Sequence, residues 1–122
     1  MNRIICCVLL LALALTACGG ADFDGSRLGN ESELTMEFKT LNREDEQNLT
    51  IGEGEHLHAE ISVEKGSLSV VIQKDDEAPV YEDGDLKGDL VFDVAPEAGT
   101  YTVHVDGRKA RGSVSFTVEP SE

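Results

Sequence analysis

The sequence predicts an all-β protein, an antiparallel β-sandwich or jelly roll of about eight short strands. From Leu34 onward apolar residues recur at every second position in almost every segment, which is the period of a half-buried strand. Turn-forming residues return about every ten positions. No stretch keeps apolar residues at i, i+3, i+4 and i+7 for long enough to make a helix.

Taken in order, Leu34, Met36 and Phe38 alternate with Thr35, Glu37 and Lys39. The acid-rich Leu41 to Gln47 is expected as a loop or a single helical turn, and Asn48 to Ile51 as a short edge strand. Leu57, Ala59, Ile61 and Val63 face inward; after Glu64-Lys65-Gly66-Ser67 the inward set becomes Leu68, Val70 and Ile72. The alternation continuing beyond that turn predicts a hairpin over 57–73. Val80 to Glu82 is a second short edge strand, and Leu90, Phe92 and Val94 form another strand that Pro96 to Gly99 closes. Tyr101, Val103 and Val105, then Val114, Phe116 and Val118, make a closing hairpin with its tip at 107–112.

Ahead of this domain, Arg3 precedes twelve unbroken apolar and cysteine residues, Ile4 to Leu15. Such a run has the length of a signal-peptide core and falls short of the roughly 20 residues of a spanning helix. It ends in Leu15-Thr16-Ala17-Cys18, which resembles the lipobox of bacterial lipoproteins. That resemblance implies cleavage between Ala17 and Cys18, acylation of the Cys18 sulfur, and attachment to the outer face of the cytoplasmic membrane, or to the outer membrane of a two-membrane envelope. The expected organisation is a signal peptide over 1–17, lipidated Cys18 with a flexible Gly/Asp/Ser linker to 33, the sandwich over 34–119 and a tail over 120–122. A linker of that length lets the domain stand clear of the membrane.

All three cysteines, Cys6, Cys7 and Cys18, lie in the leader, so the domain has no disulfide, thiolate metal site or cysteine nucleophile. Twenty-four acidic residues face ten Lys and Arg, a formal net charge of −14. So acidic a chain repels nucleic acid and anionic headgroups alike, so the expected membrane contact is through the lipid alone.

The final segment, Gly99-Thr-Tyr101 through Gly107 and Gly112 to Val118, resembles the closing hairpin of pre-peptidase C-terminal-like domains in small lipoproteins. What that resemblance implies is a sandwich with an accessory or binding role, and no catalytic residues to carry over. The expected function is non-enzymatic binding of an extracytoplasmic protein or wall ligand. No G-x-S-x-G elbow or phosphate-cradling glycine loop is present. Trp is absent, leaving Tyr81 almost alone to stack on a sugar.

Three clusters are candidate sites. His56, His58 and Glu60 share one face of a strand, as transition-metal ligands at i, i+2 and i+4 would. Cupin-type metal enzymes have a similar H-x-H, but Glu64 falls too far from His58 for the cupin spacing and Pro96 and Gly99 are misspaced for the second motif; alternation also puts His58 and His104 opposite the large apolar residues, as solvent-facing histidines. Asp75, Asp76 and Glu77, with Asp83, Asp85 and Asp89, offer hard oxygen ligands for Ca²⁺ in loops, or simply a solvated acidic turn. Arg108, Lys109 and Arg111 form a basic group at the expected hairpin tip, suited to an anion or a partner's acidic loop.

Overall fold

The computed structural model describes residues 22–121. Six strands follow in order: β1 (Phe23–Asn30), β2 (Glu33–Leu41), β3 (Glu44–Ile51), β4 (Glu55–Gln73), β5 (Tyr81–Val94) and β6 (Gly99–Pro120). They form an antiparallel sheet in the order β1-β2-β6-β4-β5, with β3 also pairing β6. The chain is an all-β sandwich, as its alternation predicts, with six strands in place of eight.

Three pairs of expected strands are each one bent strand, the segment expected at Val80 to Glu82 joining Leu90 to Val94 in β5, and β1 is an added strand. Neither expected hairpin exists: β4 runs unbroken through 64–67 and β6 through 107–112, paired with each other on both sides of these segments. Register shifts at Val63/Lys65 and Lys65/Ser67 mark a bulge, where Gly66 takes φ +71° and Lys109 φ +49°. A bulge adds residues without reversing the chain, so it flips the inward phase just as a tight turn would.

Bent strands divide the sheet into two leaves. In the first, β1 and β2 lie beside residues 112–118 of β6, 55–63 of β4 and 88–94 of β5. In the second, β3 lies beside 99–106 of β6, 67–73 of β4 and 81–86 of β5. Strands that pass from one leaf to the other through bulges are how sandwiches turn corners. Between the leaves sits one core, including Leu34, Met36, Leu57 and Phe116 from the first and Leu49, Val70, Ile72 and Val103 from the second. No polar or charged residue is buried among the described residues. Tyr101, 2% exposed, donates its hydroxyl to the Glu97 carbonyl at 2.6 Å, which satisfies its only polar side-chain atom.

At the end opposite the bends, residues 52–54 lead from β3 in one leaf to β4 in the other, and 95–98 from β5 to β6. A backbone hydrogen bond ties the leaves there, Thr50 N–H donating to Glu31 O at 2.9 Å, and Ser121 N–H to Gly54 O at 2.7 Å extends the β4–β6 ladder of the first leaf. The sandwich thus has a bend end and a loop end.

Two further segments differ from expectation. Leu41 to Gln47 is neither loop nor helical turn, because β2 ends at Leu41 and β3 already begins at Glu44. Residues 23–30, expected within a flexible linker, form β1, paired with β2 from Phe23↔Leu41 to Asn30↔Glu33. Its backbone pairing needs little apolar surface: Phe23 packs on the core while Leu28 stays 54% exposed. Asn30 Oδ1 accepts from the Ser32 and Glu33 N–H groups at 2.8 and 3.1 Å and sets the turn. Arg27 reaches across to β3, with Nε 2.8 Å from Asp45 Oδ2.

Candidate functional site

Alternation along β4 buries Leu57, Ala59 and Ile61 and sends His56, His58 and Glu60 to the outer face of the first leaf. Register supplies their neighbours: Asp93 of β5 lies opposite His58, and Glu119 of β6 opposite His56. His58 sits between two carboxylates, Nδ1 2.7 Å from Asp93 Oδ1 and Nε2 2.9 Å from Glu60 Oε2. His56 Nε2 is 3.5 Å from both Asp93 and Glu119, and its Nδ1 is 3.0 Å from Ser121 Oγ. The hydrogen bonds from Asp93, then Glu60, raise the His58 pKa above its ordinary value.

The sequence grouping of His56, His58 and Glu60 on one face therefore holds, and Asp93 and Glu119 complete it. These two were missed because only the pairing register reveals them. His104 is not part of this group. It lies on the outer face of the second leaf, with Nδ1 2.9 Å from Glu46 and Nε2 3.6 Å from Glu44. Each imidazole is thus an open, carboxylate-flanked surface group.

The acidic candidates do not converge. Asp75, Asp76 and Glu77 occupy the turn between β4 and β5 at the loop end. Asp83 lies opposite Val70 and accepts the Tyr81 hydroxyl at 3.3 Å. Asp85 stands near the bend, 4.0 Å from Lys87, and Asp89 is in the first leaf, accepting from Ser62 Oγ at 2.8 Å. Among the described residues, no group of three or more His, Cys, Asp and Glu side chains is arranged to hold a metal ion. Tyr81 stacks on Phe92 with ring centroids 4.1 Å apart, so one face of its ring is already covered.

Arg108, Lys109 and Arg111 are not on a hairpin tip but inside β6 at the bend. Arg111 Nε is 3.5 Å from Glu64 and Arg108 is 3.9 Å from Asp106. The backbone N–H of Lys109 donates to Asn42 Oδ1 at 3.0 Å. Beside them opens a cleft of 390 Å³ whose charged lining, Lys39 and Arg111 against Glu37 and Glu64, is balanced. Residues 1–21, with Ala17 and Cys18, lie outside the described residues.

No protein-family model and no curated protein matches the chain. Among solved structures it is similar to a CBM4 structure, with 9% identity over 81% of this chain and 78% of that one, at a TM-score of 0.42. It is also similar to an RmlC-like cupin protein from Desulfovibrio desulfuricans, with 17% identity over 84% of this chain and 87% of that one, at a TM-score of 0.36. At these scores neither neighbour bears on what the chain binds.

Proposed function

We propose that this chain is a lipoprotein of the cell envelope, held by an acylated Cys18, whose β-sandwich is a non-enzymatic binding or accessory domain. The observation that carries the reading is Leu15-Thr16-Ala17-Cys18, set directly after a twelve-residue apolar run. Acyl chains give about 0.8 kcal/mol per buried CH₂, and two or more hold where one is marginal. The binding role is supported by a domain whose charged groups, among the described residues, all lie outside the core, where they meet solvent and partners first. It is supported too by outer faces whose histidines are engaged by carboxylates, with no cysteine in the domain to act as nucleophile. The partner is an extracytoplasmic protein or wall ligand.

Metabolic labelling with a fatty acid tests the anchor: wild type takes up label and sediments with membranes, and Cys18→Ala does neither. Equal labelling of the two overturns it. Affinity capture of the lipidated protein from membranes tests the binding role, for which one stoichiometric partner is expected; repeated recovery of none counts against it.

A further inference from the structure

The charges of this acidic domain are unevenly distributed between its two ends. Of the nine Lys and Arg among the described residues, seven gather at the bend end. Lys39, Arg43, Lys65, Arg108, Lys109 and Arg111 are all exposed, on adjoining segments joined by Leu41↔Ala110, Lys65↔Arg111 and the Gly107 N–H bond to Arg43 O at 3.0 Å. Lys87 lies at the matching bend of β5, between Leu86↔Leu68 and Gly88↔Val63. Arg108, Arg111 and Lys87 each have a carboxylate within 4.0 Å, whereas Lys39, Arg43, Lys65 and Lys109 have none among the described residues. Asp22, Asp24, Glu37, Glu44, Glu64, Asp85 and Asp106 lie among these cations, so the bend end is close to charge balance, whereas the loop end is acidic: Glu31, Glu53, Asp75, Asp76, Glu77 and Glu97 are exposed there, with Lys74 as the one cation among the described residues of its turns.

The chain enters the domain at the bend end. Asn42 N–H donates to Asp22 O at 2.7 Å, and Asn42 Oδ1 accepts from Lys109 N–H at 3.0 Å, so two hydrogen bonds separate the entry point from the basic group. The Arg43 guanidinium lies 5.1 Å over the Phe23 ring. With β1 starting at Phe23, the four steps from Cys18 to Asp22 reach at most about 14 Å at ~3.3–3.6 Å per residue. A lipid on Cys18 would therefore hold the bend end near the headgroups.

We infer that the bend end is a membrane-facing surface, on which Lys39, Arg43, Lys65 and Lys109 meet anionic phospholipid headgroups while the acidic loop end points outward. The inference rests on the anchor proposed above. Each cation near an anionic surface changes partitioning about five-fold, which the carboxylates of the bend end offset, whereas the loop end is almost wholly repelled by the same field, so the difference between the ends turns the loop end away. The anchor keeps the domain at the membrane, and this charge asymmetry selects its orientation. The loops 52–54, 74–80 and 95–98 become the part that meets a partner.

The test uses the full-length lipidated protein on vesicles of phosphatidylcholine, with and without phosphatidylglycerol. A donor fluorophore on Ala78→Cys, exposed in the 74–80 turn, reports its distance from acceptor-labelled headgroups by energy transfer. Transfer is expected to fall when phosphatidylglycerol is present. It should return to the neutral-vesicle level in high salt and in Lys39→Gln/Lys65→Gln, two exposed positions whose replacement leaves the core intact. Flotation with both vesicles but unchanged transfer overturns the orientation alone. Failure to float with neutral vesicles overturns the anchor, and the orientation with it.

Discussion

His58 sets its imidazole between Asp93 and Glu60, and folding is what assembles that pair of carboxylates. Its folded pKa lies above the unfolded value of about 6.5. A raised histidine pKa means that the folded form binds the proton more tightly than the unfolded form. The resulting stabilisation is complete below the unfolded pKa and disappears as pH rises through the folded pKa. The melting temperature should therefore decline as pH rises from just below 6.5 through the folded value, and in His58→Gln that part of the decline should vanish. Proton NMR of the imidazole should give a pKa above the ordinary value, moving down in Asp93→Asn; a titration unaffected by that substitution contradicts the assignment. At this scale the sequence was informative about His56, His58 and Glu60, because strand alternation needs only local order. Asp93 and Glu119 were illegible, since they come from other strands whose register depends on the whole sheet.

The elements turn on two glycines. Gly66 takes φ +71°, and a Cβ there would overlap the backbone carbonyls of Lys109 and Arg108. At Gly112, with φ +153°, a Cβ would overlap the Ser62 carbonyl oxygen. The bends of β4 and β6 pack backbone against backbone at these points, and only glycine permits the approach. Gly112→Ala should cost about 3 kcal/mol, as strain and overpacking do, lowering the melting temperature by roughly 4–8 °C per kcal/mol. Gly54→Ala is the control: its φ is +77° but the space beside it is open, so about 1 kcal/mol of backbone strain is expected. Equal effects of the two substitutions would contradict the packing account. The same glycines explain why eight strands were expected. Glu64-Lys-Gly66-Ser and Gly107 to Gly112 each combine a glycine, polar residues and a change of apolar phase. Turn and bulge share that local signature, and the choice between them is made by the partner strand. Residues 23–30 were obscure for a related reason, since an edge strand held by backbone hydrogen bonds carries little apolar alternation.

Across the whole molecule, a formal net charge of −14 on a small domain makes the folded state repel itself. Raising ionic strength from about 0.01 to 0.15 M shortens the screening length from about 30 to 8 Å, so the melting temperature should rise over that range. A flat or falling curve would mean that local ion pairs such as Arg27–Asp45 outweigh the net repulsion. The sequence by itself determined the all-β class, the inward residues and the sign of the net charge, because period, composition and charge survive without knowing which strand meets which. Only the tertiary structure decided that β4 and β6 bend where they seemed to turn, that residues 23–30 belong to the sheet, and that the basic residues collect at the end where the chain enters. Those outcomes depend on the pairing of Lys65 with Arg111 and of Phe23 with Leu41. Such long-range registers are selected by burial of the entire core and leave no mark in any single stretch of chain.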